Sequence, residues 1–361
     1  MKERKGWVDA FKGIGMLMVI LAHSGFEQLG GFIHRIGLIG RTGVSIFFMI
    51  SIYLGLVSYE KLENKNGKLT IKWAVSKIIK LLGLYYFFII IYAIMTGGME
   101  TWLGNDNNIT IGNYLTHIFL VNSFFPLYIN SILGVEWYLS ILFVVYFLIP
   151  LIYKYIDTID KGIVFLIASL FLQSYLGRFI GFIPECENKF IYESYFKWMS
   201  LWANLPSIAL GSIIYNYEKK QFVLSIKRKK ILSLSMLLWG IFMFYGILYN
   251  YTTVFCLSSE IIYTFVYFII IFSQILFENK IINNGVFKFI GKNSYPIYLI
   301  HFILFQIYDK YVKEYDNLTL GWLIKVMVVI LFSSGFAVLY YKTKNNITNW
   351  WNKKHNLEAL K

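Results

Sequence analysis

Cysteine, proline and charged residues are all scarce in this sequence. The two cysteines, Cys186 and Cys256, lack the spacing of a metal site and are predicted to be inert buried thiols. With only five prolines, the chain has no proline-rich linker between domains. Charged residues make up 15% of the chain, against about a quarter in a soluble domain. These shortages argue against a disulfide scaffold, a cysteine-rich zinc module and a soluble enzyme.

More than half of the residues are apolar. The chain is 57% hydrophobic and 19% aromatic, and its mean hydropathy is +0.57. The apolar residues form blocks of about twenty, which is enough to cross a hydrocarbon core about 30 Å thick. Backbone hydrogen bonds in lipid must close within each block, so we predict an all-α, polytopic transmembrane helical bundle. The ten predicted spans are 7–26, 43–59, 73–96, 136–155, 162–180, 198–217, 231–250, 254–277, 295–312 and 320–341.

The formal net charge of +14 does not indicate nucleic acid, because no basic patch is interleaved with exposed aromatic residues. The Lys and Arg residues lie between the apolar blocks instead. With both termini cytoplasmic, the inside loops hold 23 of the 34 Lys and Arg residues and the outside segments hold seven. The positive-inside rule therefore predicts cytoplasmic termini and a multi-pass protein of the cytoplasmic membrane.

The spans divide the chain simply. We predict a transmembrane domain over 1–341 and a basic cytoplasmic tail over 342–361. The first span, interrupted by Lys12, is expected to stay in the mature protein rather than act as a cleaved signal. The long outside segment 97–135 is predicted to be a solvated loop, with 114–125 as a re-entrant or interfacial piece.

Ionisable residues inside spans are the informative ones, because each is costly in lipid unless it is paired or faces a cavity. The first span carries Asp9, Lys12 and His23. Lys12 and His23 are eleven residues apart, close to three helical turns, so they share one helix face about 16 Å apart. Asp9 is one turn before Lys12 and is placed to pair with it.

Further polar residues divide between the two ends of the predicted bundle. Lys77 and Lys80 repeat a basic feature at the cytoplasmic end, and snorkelling to headgroups is their alternative explanation. Glu136, Glu260 and His301 fall in the outer half. For Glu136 a helix-capping role stays open, and for His301 a structural hydrogen bond within the bundle.

The first-span residues carry a family resemblance. A basic residue, ten further residues and a histidine, with an aspartate three residues before the basic one, resemble the first-span signature of the acyltransferase 3 family. Asp9, Lys12 and His23 occupy these places. Lys replaces the more usual Arg, as in the branch that resembles fucose 4-O-acetylases and other sugar O-acetylases. Lysine keeps the charge but loses the bidentate fork of arginine.

Four more stretches agree in the expected order along essentially the whole chain. The second-span motif resembles 43–51, with Ile52 where glycine is usual, and the paired basic motif resembles Lys77-x-x-Lys80. Glu136-Trp137-Tyr138-Leu139 resembles the tryptophan-aromatic-leucine motif, and 294–301 resembles the motif that ends in His301.

The resemblance implies an acyltransferase that moves an acyl group, with acetyl expected, from cytoplasmic acyl-CoA to a glycan or lipid-linked sugar hydroxyl. Acetyl-CoA would be the donor substrate, with no metal. On this basis we expect His23 to be the general base, with Glu260 or Glu136 orienting its ring. Lys12, Lys77 and Lys80 would bind the phosphates of the donor. The candidates for the oxyanion donor or the substrate contacts are Tyr298, His301, Trp137 and Ser51.

Two other functions remain open at this point. An exporter or transporter of the same membrane fold would also use buried His, Glu and Lys side chains, although we find no inverted repeat. A membrane sensor or scaffold would tolerate replacement of those side chains. The expected partners are membrane lipid and the acceptor sugar, with no nucleic acid, and a homo-oligomer is left open.

Overall fold

A computed structural model describes residues 5–66, 70–101, 108–179, 182–183, 189–220, 222–249, 259–313 and 315–358. Within these ranges the regular structure is helical apart from one isolated bridge between Met99 and Asn108. The predicted all-α class is therefore confirmed. Cys186 and Cys256 lie outside the described residues.

The α-helices are α1 Gly6–Ala22, α2 Gly31–Gly40, α3 Gly43–Asn66, α4 Thr70–Met95, α5 Ile111–Ile118, α6 Trp137–Tyr155, α7 Ile159–Phe179, α8 Lys189–Ser194, α9 Leu201–Lys220, α10 Ile226–Tyr249, α11 Ser259–Leu276, α12 Gly285–Lys292, α13 Ser294–Tyr311 and α14 Leu318–Glu358.

Each of the ten predicted spans coincides with one of the longer helices. Within the described residues, six helical segments are long and apolar enough to cross a membrane by length and composition: Gly31–Glu63, Ile71–Met95, Trp137–Tyr155, Ile159–Leu176, Ile226–Tyr249 and Leu318–Trp350. The count of ten spans and the cytoplasmic termini stay predictions. Helix α14 runs without interruption across the boundary predicted at 341, so the described part of the tail continues the last span as helix.

The segment predicted as a solvated outer loop is largely structured. Its described part contains α5 and a short 3-10 turn over Asn122–Phe124. Asn113, His117, Asn122 and Asn130 are buried there at 3% exposure or less. The loop prediction was therefore wrong for 108–135, because buried hydrogen-bond partners replace water for these polar side chains.

Helix α1 lies at the centre of the bundle, and glycines let its neighbours approach its backbone. A Cβ added at Gly291 of α12 would lie 1.8 Å from the carbonyl oxygen of Asp9. A Cβ at Gly13 of α1 would lie 2.0 Å from the carbonyl oxygen of Phe287. The two helices are thus in direct backbone contact, as small residues permit at helix crossings in membranes.

Another pair of glycines brings α2 and α3 against α1. A Cβ at Gly40 would lie 2.5 Å from the carbonyl oxygen of Met18, and one at Gly43 would lie 2.7 Å from the Met18 Cβ. Helix α1 is therefore held between α12 on one side and the α2–α3 corner on another. The segment from Lys12, near the middle of α1, to His23 at its C-terminal end is fixed by these contacts.

Replacing Gly291 by Ala should destabilise the protein by about 1–3 kcal/mol or more, because the added methyl overlaps the backbone of α1. The measurement is the thermal-unfolding midpoint of the purified protein in detergent, followed by intrinsic fluorescence. Gly335→Ala is the matched control, since that glycine lies in a helix with no atom within 4 Å of an added Cβ. Equal midpoints for the two variants would contradict the proposed α1–α12 contact.

Candidate active site

His23 caps the C-terminal end of α1, and two neutral groups orient its ring. Its Nδ1 lies 2.9 Å from the carbonyl oxygen of Val19 and 3.3 Å from Nε2 of His301. The carbonyl can only accept, so Nδ1 of His23 carries the hydrogen. His301 has the same tautomer, because its Nδ1 donates to the carbonyl oxygen of Tyr298 at 2.7 Å. Nε2 of His23 is thereby left with its lone pair.

A cavity of 360 Å³ opens beside His23. Its volume is in the range of sites that hold small molecules, and its lining has the usual mixture of rings and a few polar groups. The ring of Phe302 meets the ring of His23 edge to face, with centroids 5.5 Å apart. We call this space the His23 cavity. Its other prominent lining residues are Trp137, Trp198, Arg41, Glu27 and Asn130.

Arg41 is the cation of this cavity. Its guanidinium lies 3.2 Å from the carboxylate of Glu27 and packs over the rings of Phe26 and Trp198 at 5.4 and 5.9 Å. The arginine therefore presents a positive charge that is partly balanced by Glu27, in a position fixed by the aromatic rings.

Glu260 lies next to this cavity rather than on His23. It lines a small side cavity of 40 Å³ together with Lys197 and Gln173. Arg41 and Trp137 line both spaces, so they form the shared wall. His23 is hydrogen-bonded to Val19 and His301, whereas the expected partner Glu260 lies in the adjoining side cavity.

Lys12 lines a separate cavity of 120 Å³, which we call the Lys12 cavity. Ser51, Tyr138, Tyr295 and Tyr298 share it. The Ser51 hydroxyl lies 3.0 Å from the hydroxyl of Tyr138. The expected substrate or oxyanion candidates therefore line different cavities. Ser51 and Tyr298 line the Lys12 cavity, whereas Trp137 lines the His23 cavity.

Tyr298 and His301 form the layer between the two cavities. The Tyr298 hydroxyl donates to the carbonyl oxygen of Val135. Its ring centroid is 5.8 Å from that of His301, which in turn contacts His23. Tyr298 on the Lys12 cavity and His301 on His23 therefore link the two cavities.

Comparison with known proteins completes the assignment. Residues 5–342 match the family model described as an acyltransferase domain. The chain belongs to the acyltransferase 3 family. No curated protein and no solved structure matches it. The six apolar helical segments and the family together make this a multi-pass membrane acyltransferase.

The paired basic motif of the acyltransferase 3 family lies beside the Lys12 cavity. Lys77 is partly buried with its ammonium 5.5 Å from the ring centroid of Trp73, whereas Lys80 is exposed. The next residue, Leu81, lines the Lys12 cavity, and its carbonyl accepts a hydrogen bond from Tyr295. This motif and Lys12 therefore approach the same cavity from two helices.

Glu136 stabilises a backbone segment instead of orienting His23. Its fully buried carboxylate accepts hydrogen bonds from the amides of Ile132, Leu133 and Val135 at 2.9–3.1 Å. It also lies 3.0 Å from Nε2 of His117. The three amides and His117 hold this carboxylate in place, so Glu136 fixes the backbone that forms the wall of the His23 cavity.

His117 was not predicted as a site residue. It follows a polar stretch, and none of the motifs quoted above includes it. In the structure its Nδ1 donates to the carbonyl oxygen of Asn113 at 2.6 Å while Nε2 lies 3.0 Å from the Glu136 carboxylate. His117 is therefore a fully buried partner of that carboxylate. A signal would have been the capping box that begins α5, Thr110 with Asn113, which predicts a helix carrying His117.

Among the described side chains, no three His, Cys, Asp or Glu residues form a group that could hold a metal ion.

Replacing Glu136 by Gln should destabilise the protein by about 3–5 kcal/mol, because the buried His117 loses its carboxylate partner and an amide group faces backbone donors. The unfolding midpoint and the yield of folded protein measure this effect. Asp157→Asn is the control, since it removes an exposed carboxylate paired with Lys161 at 2.7 Å and should change stability by no more than about 1 kcal/mol. A midpoint for Glu136→Gln equal to that of this control would refute the anchoring role.

Proposed function

We propose that this protein is an O-acyltransferase of the cytoplasmic membrane. It moves an acyl group, acetyl in our proposal, from cytoplasmic acyl-CoA to a hydroxyl of a cell-envelope glycan or lipid-linked sugar. The observation that carries the proposal is the oriented ring of His23, whose Nε2 keeps its lone pair beside a cavity of 360 Å³.

His23 would act as the general base. Its Nε2 takes the proton of the acceptor hydroxyl as the hydroxyl oxygen attacks the thioester carbonyl carbon. A new carbon–oxygen bond forms, the carbon–sulfur bond breaks, and the departing thiolate takes the proton back from His23. Proton and acyl group are then balanced, and the histidine returns to its starting state. His301 would hold the His23 ring in the reactive tautomer throughout.

The donor would enter from the Lys12 cavity. Acyl-CoA carries several phosphates. Lys12 lines this cavity, and Lys77 and Lys80 lie on α4 just before Leu81, which also lines it. The distance of about 16 Å along α1 between Lys12 and His23 suits an extended pantetheine arm. The arm would pass the layer of Tyr298 and His301 to bring the thioester to His23.

The acceptor would occupy the His23 cavity. The rings of Trp137, Trp198 and Phe302 offer flat apolar faces, and Arg41 and Glu27 offer hydrogen-bonding groups. Such a mixture fits a sugar ring, which has apolar carbon–hydrogen faces and a hydroxylated edge. Glu260, in the adjoining side cavity, is within the same polar region and would contact an acceptor longer than one sugar.

Replacing His23 by Gln should reduce acyl transfer by at least about 10²-fold. Glutamine occupies the place of the imidazole ring but cannot act as a general base. Release of free thiol from acetyl-CoA by purified protein, with and without a sugar acceptor, measures the reaction. His34→Gln is the control, since His34 lies on α2 with its ring against Phe26. Normal turnover in folded His23→Gln protein would end the general-base proposal, and absence of thioester chemistry in the unaltered protein would favour a transporter.

Replacing Lys77 and Lys80 together by Gln should raise the KM for acyl-CoA about tenfold, since the loss of charge-assisted phosphate contacts costs roughly 1.4 kcal/mol or more. The KM for the acceptor should stay unchanged. Steady-state kinetics at varied donor and acceptor concentrations separate the two constants. Lys342 and Lys344, on the part of α14 after the apolar block, form the control pair. Unchanged donor kinetics would mean that Lys77 and Lys80 only contact lipid headgroups.

A further inference from the structure

The wall of the His23 cavity formed by 130–137 has few free backbone donors. The Glu136 carboxylate takes the amides of Ile132, Leu133 and Val135. These amides are therefore turned toward the carboxylate and away from any ligand. Backbone amides often stabilise an oxyanion in acyl transfer, but in this segment those three are already used.

Asn130 uses two more amides of the same wall. Its side-chain Oδ1 accepts from the amide of Trp137 at 2.9 Å, and its carbonyl oxygen accepts from the amide of Gly134 at 3.2 Å. The contact with Trp137 fixes the orientation of the side-chain amide, since only Oδ1 is able to accept. Nδ2 is thereby the free end of the group.

The Nδ2 donor of Asn130 is poorly satisfied although the residue is 3% exposed. Among the described residues its hydrogen-bond partner is the sulfur of Met199 at 3.8 Å, and a thioether is a weak acceptor. Both residues line the His23 cavity. A buried amide donor that lacks a good acceptor and lies on the wall of a cavity indicates a ligand atom as its partner.

The wall that carries Asn130 is in contact with His23 through Phe302. The Phe302 ring lies edge to face on the His23 ring, and its Cε1 is 2.7 Å from where a Cβ of Gly134 would be. Gly134 has a φ of +76°, a conformation that glycine favours, and its amide is bonded to Asn130. Asn130 and the base thus border one space from adjoining walls.

Three other donors in or near this cavity have partners within the protein. The hydroxyl of Thr101 donates to the carbonyl oxygen of Ile132 at 2.8 Å. Arg41 is paired with Glu27 and lies against aromatic rings. The Tyr298 hydroxyl, an initial candidate, donates to Val135 on the side of the Lys12 cavity.

We propose that the side-chain amide of Asn130 is the hydrogen-bond donor to the thioester oxyanion. The inference rests on the proposed acyl transfer at His23. As the acceptor oxygen attacks, the carbonyl π electrons move onto the carbonyl oxygen, and Nδ2–H of Asn130 donates to it. When the tetrahedral intermediate collapses, the electrons return, the carbon–sulfur bond breaks and the thiolate leaves with the proton from His23.

The test uses the full-length protein in detergent and two substitutions. Asn130→Asp keeps an oxygen for the Trp137 amide but replaces the donor by an acceptor, and Asn130→Ala removes the side chain. Both should lower kcat about 10²–10³-fold for transfer and also for hydrolysis of acetyl-CoA without a sugar. The KM values for donor and acceptor should stay within about threefold, because an oxyanion donor acts in the transition state.

Asn216→Asp is the control for placing a carboxylate at a buried amide. Its Nδ2 donates to the carbonyl oxygens of Ile156 and Thr158, away from the His23 cavity, so kcat per folded molecule should be retained. Unfolding midpoints of all variants identify losses caused by misfolding.

Several results would overturn the inference alone. One is an unchanged kcat in Asn130→Asp. Another is a change in that variant that is restricted to the KM for the acceptor. A third is a large loss of kcat in Trp137→Phe with none in Asn130→Asp. If the unaltered protein neither transfers nor hydrolyses the acyl group, the proposed function fails and the role of Asn130 fails with it.

Discussion

The close backbone contact around α1 is the constraint on which the site depends. Lipid offers little hydrophobic force for bringing helices together, so packing of small residues must hold them. Gly291 lets α12 reach the backbone at Asp9, and Gly40 lets α2 reach it at Met18. The same helix carries Lys12 toward one cavity and His23 toward the other. Because α1 is held along its length, the separation of these two side chains is fixed by helix geometry.

The buried carboxylate of Glu136 fixes the wall of the His23 cavity. Burying the Glu136 carboxylate would be costly without partners, yet three backbone amides and the His117 ring satisfy it. The result is a wall of irregular backbone at the end of the bundle, with Asn130 and Trp137 on the cavity side. Irregular backbone of this kind is tolerated in a membrane protein where it is buried in protein or lines a cavity.

Hydrophobic runs and residue spacing in the sequence predicted the long helices and one helix face. Apolar runs located the ten long helices, and the eleven-residue spacing placed Lys12 and His23 on one face. The short helices α2 and α12 escaped prediction because they are too brief to show a clear period. The pairing of His117 with Glu136, nineteen residues apart, was hidden because polar residues in a loop normally indicate solvent. The partner of His23 was not predicted, because His301 comes from α13, 278 residues away in the chain, and no local pattern links the two.

The neutral partners of His23 have a consequence for the chemistry. In a triad with a carboxylate, the charged partner stabilises the imidazolium that forms when the histidine takes a proton. Here the hydrogen-bond partners of His23 are the carbonyl of Val19 and the imidazole of His301, and Arg41 lines the same cavity. A buried imidazolium in these surroundings is costly, so the proton should pass on quickly. A thiolate leaving group suits this arrangement, because it needs little acid assistance to depart. The histidine pair is therefore better matched to an activated thioester donor than to cleavage of an ordinary ester.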